Sequence, residues 1–233
     1  MSKGVLCFAI FAFFLLQGTS ARCETLAELK ASLNLRQDLI PPGKFGRIPN
    51  RTFSGERFLT IHSTEVTQGF ADARHFARRL RTGEETSTDR RSRTGYKTWH
   101  FTVDSSSVIQ HLPTNEQGDH ADFSGPGNRS SIGIEMCENI GADFSSTKDR
   151  ATRLIAYLCV SEHIPEKNLR MHWHWGQQPL DPKKPPYHKQ CPHSFLDVIA
   201  NDKFVPNRNW ENFRSKVHLY IEALKGSNRE ELS

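Results

Sequence analysis

No part of this 233-residue chain is apolar over the ~20 residues a membrane-spanning helix needs; the apolar run Val5–Leu16 stops at twelve. Low-complexity tracts and internal repeats are absent too, which excludes solenoid and repeat-array architectures. Cysteine is scarce, with five residues and no C-x-x-C pair, and none of the eleven histidines forms an H-x-x-x-H pair. The paired ligands of a structural zinc site are therefore missing. Cationic excess is small, a formal +5, and the most basic stretch, Arg74 to Arg93, is broken by Glu84, Glu85 and Asp89. Its one aromatic ring apart from histidine is Phe76, so it offers no stacking surface for nucleic acid. What remains is an ordinary globular composition, 36% hydrophobic and 24% charged.

The run Val5–Leu16 follows Lys3 and precedes Gly18-Thr19-Ser20-Ala21. A positive start, a short apolar segment and small residues at its end predict a secretory signal over residues 1–21, and hence a secreted or periplasmic protein. An oxidising compartment makes the remaining cysteines candidates for pairing. Cys137 with Cys159 is the expected bridge, with two buried free thiols as the alternative. Asn50-Arg51-Thr52 and Asn128-Arg129-Ser130 read as glycosylation acceptors in a eukaryotic host. Residues 22–37 are expected to form an N-terminal segment, 38–224 one catalytic domain, and 225–233 a tail.

Strand and helix patterns alternate along the chain. Phe58–His62 predicts a strand ending on a histidine, and Gly69–Leu80 a helix burying Phe70, Ala73, Phe76, Ala77 and Leu80. Thr82–Gly95 reads as an exposed loop. Trp99–Val103 and Val108–Leu112 read as a hairpin, Asp119–Asn128 as a Gly/Asp/Pro loop, and Ser131–Cys137 as a strand with Ile132, Ile134 and Met136 on one face and Glu135 on the other. Thr147 is the expected cap of a helix running to about His163, Gln177–His188 a Pro- and Lys-rich insertion, and Asn209–Leu224 a final helix. The sum is an α/β fold: one domain with a central mixed sheet flanked by helices.

His62 ends a strand, while His172 and Cys191 lie within twenty residues of one another in Met171-His172-Trp173-His174-Trp175 and Lys189-Gln190-Cys191-Pro192-His193. Two imidazoles and a thiolate suit zinc, and three protein ligands leave a coordination position for chemistry. Glu135 is the candidate acid/base, and Lys189, on the same side of extended chain as Cys191, a candidate oxyanion partner. Spacing alone leaves plainer readings standing: a hydrogen-bonded strand-end histidine, a cysteine that is half of a disulfide, a surface lysine.

Five ordered blocks carry a resemblance across residues 38–224: Thr60-Ile61-His62-Ser63-Thr64, Trp99-His100-Phe101-Thr102-Val103-Asp104, Ile109-Gln110-His111-Leu112-Pro113, Ser131-Ile132-Gly133-Ile134-Glu135-Met136-Cys137-Glu138-Asn139 and Lys189-Gln190-Cys191-Pro192-His193. Together they resemble the zinc-dependent N-acetylmuramoyl-L-alanine amidases, the group that includes phage lysozyme-type amidases and peptidoglycan recognition proteins. The resemblance implies a zinc cleft beside a mixed sheet, a peptidoglycan or muropeptide substrate, and cleavage of the amide joining N-acetylmuramic acid to L-alanine. It implies His62, His172 and Cys191 as Zn2+ ligands and Glu135 and Lys189 as catalytic groups. His174 stands where many members have an acidic residue, which makes it a rival to His172. Trp99 replaces the tyrosine of one branch. Asp119-His120-Ala121-Asp122 stands where many members read Trp-His-Ala-Gly, so His120 and Trp99 are expected at the substrate. The alternative function is a binding module that holds muropeptides without cutting them.

Overall fold

The computed structural model describes residues 25–181, 183–200 and 203–230. The segment expected to be a signal lies outside them, and no described helix is long and apolar enough to cross a membrane.

The chain opens with α1 (Leu26–Ser32), started by a capping box in which Thr25 and Glu28 satisfy each other's backbone N–H. Next come β1 (Leu35–Gln37), β2 (Phe58–Ser63) and α2 (Ala73–Thr82). The hairpin of β3 (Phe101–Val103) and β4 (Val108–Gln110) leads through the short α3 (Pro126–Ser130) into β5 (Ser131–Met136). α4 (Phe144–Ser161), β6 (Leu169–Met171), a second hairpin of β7 (Leu196–Ala200) and β8 (Lys203–Pro206), and α5 (Arg208–Glu230) complete it.

Six strands form one sheet in the order β1-β4-β3-β5-β2-β6. Only the β3–β4 pair is antiparallel; the other neighbours run parallel. The expected mixed sheet is present, and it reaches back to β1, N-terminal of the boundary expected at residue 38.

Strand alternation splits the molecule into layers. Leu59 and Ile61 of β2 and Ile132, Ile134 and Met136 of β5 point to one face and share a core with Leu154, Ile155 and Leu158 of α4 and with Trp210, Phe213 and Val217 of α5, which packs on α4. Burying each large side chain of this kind contributes about 1.5–3 kcal/mol. A second, smaller core under α2 joins Phe76, Ala77 and Leu80 to Trp99, Leu112 and Cys137. The alternate residues of β2 and β5, Thr60, His62, Gly133 and Glu135, thus face away from the larger core, on the side where the cleft forms.

Several boundaries differ from expectation for identifiable reasons. Helix α2 starts at Ala73 because Asp72 accepts the His75 N–H, and Phe70, expected in its buried stripe, is 67% exposed. α4 starts four residues early because Asp143, not Thr147, caps it. Cys137 and Cys159 are both unbridged and buried and belong to different cores, so of the two alternatives it is the pair of free thiols that is found. Asn128 is 2% exposed, with its side chain committed to internal hydrogen bonds, which removes it as an acceptor for glycan in the folded protein.

Candidate active site

In a parallel sheet, ligands gather beyond the carboxyl ends of the strands, and three such ends meet here. His62 lies near the end of β2, Glu135 near the end of β5, and His172 directly follows β6. The ladder pairs His62 with Glu135 as direct neighbours, so the two side chains stand abreast on one face. Cys191 arrives from the far end of the Gln177–His188 insertion; its backbone carbonyl accepts the Trp173 N–H, which ties the cysteine to the segment carrying His172.

The donor atoms converge. His62 Nδ1 lies 3.0 Å from His172 Nδ1 and 3.9 Å from Cys191 Sγ. A set of one ligand atom from each of the three residues fits within 4.8 Å, and all three side chains are buried. His174 is not part of it: its Nδ1 accepts the Met171 N–H at 3.0 Å and its ring packs against Trp173 and Trp210. Of the two histidines, it is His172 that stands in the cluster.

Burial sets the protonation of these groups. It holds His120 and His172 down to about 3 and drives His62 well below its usual value, so all three rings are neutral at neutral pH, the form that offers a lone pair. Burial pushes the Cys191 thiol up, so its thiolate form needs a cation beside it. Glu135 is pushed up to about 8, by burial first, with Lys189 pulling the other way. Its Oε1 is 3.9 Å from His62 Nδ1, and its Oε2 is buried without a hydrogen-bond partner. A buried carboxyl oxygen without a partner thus stands beside three convergent donors.

A cavity of about 650 Å³ opens in front of the donors. Charged side chains of the 79–97 region, Arg79, Glu85, Asp89, Arg93 and Lys97, contribute to its wall. The stretch read as an exposed loop is anchored: Arg93 Nε donates to Asp119 Oδ1 at 2.7 Å. Arg91 lies over the Phe123 ring at 4.2 Å and donates to the Gln178 carbonyl and the Tyr187 hydroxyl. The insertion therefore touches the loop across the cavity rim, its own ends zipped by paired backbone bonds between Gln177 and Tyr187.

Lys189 also lines the cavity, with its Nζ 3.5 Å from Glu65 Oε2. Trp99 is 5% exposed; its indole N–H donates to Thr102 Oγ1 at 2.7 Å, and only part of the ring reaches the cavity. His120 lines the cavity as well. Both its ring nitrogens have partners inside the protein, His62 Nε2 at 3.0 Å and the Ser131 carbonyl at 3.2 Å, so neither is free for substrate. Sequence reasoning missed the residues behind the donors altogether. Ala121 carbonyl and the Gln177 amide nitrogen both lie 2.9 Å from His172 Nε2, and Asn128 Oδ1 accepts both the His120 and Ala121 N–H groups at 2.8 and 2.7 Å. An asparagine in a Gly/Asp/Pro loop was the available hint, since such side chains commonly bind nearby backbone; Gln177 carried no signal.

A mixed sheet flanked by helices, with a three-donor cluster at its strand ends beside a cavity, has the fold of an amidase catalytic domain. The chain belongs to the N-acetylmuramoyl-L-alanine amidase family, whose profile matches residues 54–194. It is 34% identical over 186 residues to the N-acetylmuramoyl-L-alanine amidase XlyA of Bacillus subtilis strain 168, covering 79% of this chain and 51% of that protein. To the N-acetylmuramoyl-L-alanine amidase CwlH of the same organism it is 33% identical over 167 residues, 71% of this chain and 58% of that one. The chain thus spans little more than half the length of these relatives. The solved catalytic domain of XlyA superimposes with a TM-score of 0.60 at 34% identity, over 79% of this chain and 99% of that domain.

Proposed function

We propose that the chain is an exported, zinc-dependent peptidoglycan hydrolase that cleaves the amide between N-acetylmuramic acid and the L-alanine of the stem peptide. The observation that carries this reading is the convergence of His62, His172 and Cys191 with Glu135 as the ladder neighbour of His62. The donor set fits the ion: two neutral imidazoles and one thiol, buried, with Glu135 and the cavity on the remaining side. When bound, zinc supplies Lewis acidity, polarising a carbonyl and easing loss of a proton from water.

The protein's own groups do the rest. Glu135 takes a proton from the attacking water and returns it to the departing alanine nitrogen. Water oxygen joins the lactyl carbonyl carbon, the carbon–nitrogen bond breaks, and a carboxylate and a free amine result. The Lys189 ammonium, beside Cys191 in sequence and lining the cavity, faces the negative charge that develops on the carbonyl oxygen. The Arg91 contacts hold the loop and the insertion together at the rim, giving the cavity a wall against which a stem peptide can lie. Export rests on the apolar run at residues 5–16 and places the enzyme where its substrate is found.

A module that only binds muropeptides has no use for a thiol 3.9 Å from His62 Nδ1, which favours the enzyme. Digestion of purified cell wall, followed by mass spectrometry, tests the reading. The expected products are stem peptides with free L-alanine amino termini and intact glycan, lost with a chelator and restored by zinc. Cleaved glycosidic bonds, cleaved peptide crosslinks alone, or no product in the presence of zinc would overturn it.

A further inference from the structure

We propose that His120 is a positioning residue that fixes the tautomer of His62 and so keeps its Nδ1 lone pair aimed at the metal position; this rests on the zinc reading above. Hydrogen-bond polarity sets the two tautomers. A carbonyl oxygen only accepts, so the Ser131 carbonyl, 3.2 Å from His120 Nε2, puts the proton of that ring on Nε2. Its Nδ1 then carries a lone pair. That lone pair faces His62 Nε2 at 3.0 Å, so His62 must hold its own proton on Nε2 and leave Nδ1 free. Nδ1 is the atom 3.0 Å from His172 Nδ1 and 3.9 Å from Cys191 Sγ. A ligand's second nitrogen commonly sets the electronic state of the first in this way.

The surroundings of His120 are built for the role. Gly133 lies in the middle of β5, where glycine weakens a strand unless another group must come close. Here that group is the imidazole: a Cβ on Gly133 would stand 2.7 Å from His120 Cγ and 2.8 Å from its Nδ1. Gly118 leaves room on another side, where a Cβ would sit 3.0 Å from His120 Cδ2. Asn128 holds the backbone N–H of His120 and of Ala121, and the adjacent Ala121 carbonyl lies 2.9 Å from His172 Nε2. One dipeptide therefore stands behind both imidazole donors. On the His172 side the Gln177 amide competes for the same ring nitrogen, so the decisive test belongs on His62.

Zinc dissociation constants of the full-length chain, measured by competition with a chromogenic chelator, separate positioning from packing. His120→Leu fills the space without a lone pair and is expected to weaken zinc binding about 10–100-fold. His120→Asn keeps an acceptor near the Nδ1 position and is expected to recover most of the loss. Gly133→Ala, which displaces the ring from beneath, should weaken binding in the same direction. Zinc binding by His120→Leu as tight as wild type, or no recovery by His120→Asn relative to His120→Leu, overturns the proposal. Long-range proton–nitrogen NMR of the zinc-free wild-type protein decides it even if the variants do not fold. A proton on His62 Nε2 supports the assignment, and a proton on Nδ1 refutes it. Failure of the wild-type protein to bind zinc would instead overturn the zinc reading, leaving the NMR result to judge His120.

Discussion

Replacing Glu135 with Gln separates chemistry from structure at a single atom. Glutamine has the shape of glutamate, so β5, its pairing of residue 135 with His62, and the wall of the cavity should all persist. What disappears is an ionisable oxygen that, in the native protein, is buried and lacks a partner. A positioned acid/base group contributes typically ~10²–10⁴-fold to rate, equivalent to about 3–5 kcal/mol of activation free energy at 1.36 kcal/mol per decade. Because the proposed role of Glu135 is on the proton in flight and its Oε2 makes no hydrogen bond, the loss should fall on kcat while KM changes little. Global stability should remain within about 1 kcal/mol of wild type, since no satisfied hydrogen bond of that oxygen is broken. The assay is the initial rate of free-amine release from purified, labelled cell wall, run beside zinc analysis and a urea titration. An E135Q protein that binds zinc, melts normally and retains activity within tenfold of wild type would refute the assignment of Glu135 as the proton carrier.

Other outcomes follow from the same structure. Cys191→Ser removes a donor itself rather than its support, so its zinc affinity should fall by more than the ~10–100-fold loss typical of an outer partner, measured by the same chelator competition. Asp104 accepts the N–H groups of Ala73, Ser106 and Ser107; burial works against its charge, but these bonds prevail and hold it below the usual carboxylate range. Its contribution is therefore complete above the unfolded-state value of ~3.9 and is lost as pH falls through the lower folded value. Asp104→Ala should cost about 3 kcal/mol at neutral pH and flatten the acid limb of a stability–pH profile; an unchanged limb would contradict this. Cys137 and Cys159, in separate cores, should both alkylate when the unreduced protein is denatured, as mass spectrometry would show, and added reductant should not shift the melting temperature.

The parts of this fold that were legible in the sequence share one property: their signal is local and periodic. The apolar alternation of Ile132, Ile134 and Met136 revealed β5 and, by parity, the opposite direction of Glu135. The segments carrying His62, His172 and Cys191 pointed to the donor set by their chemistry and then by resemblance, and the structure brings those three together. Short strands were missed where they are too brief to show a period, as in β1 and β6, each three residues long. Phe70 was misplaced because helical spacing continues past the point where Asp72 starts the helix. The hydrogen-bond partners of His120 were not legible for a deeper reason. Whether an imidazole faces a ligand or a metal's neighbour depends on which carbonyl lies behind it, here Ser131, eleven residues away, and no pattern in sequence encodes that. Gly133 was the one overlooked clue, a glycine inside an otherwise apolar strand.

The pairing of His62 with Glu135 as direct rungs of one parallel ladder has an implication for how such a protein can change. A slip of a single residue between β2 and β5 would turn the slipped strand's group to the opposite face of the sheet and part the pair, so the placing of His62 beside Glu135 is guarded by the backbone bonds of the sheet centre. Surface loops such as the one bearing Arg91 carry no such obligation. Their length and charge can drift toward new wall chemistries while the reacting centre stays in register, which makes the rim, and not the sheet, the place to look for differences among kindred enzymes.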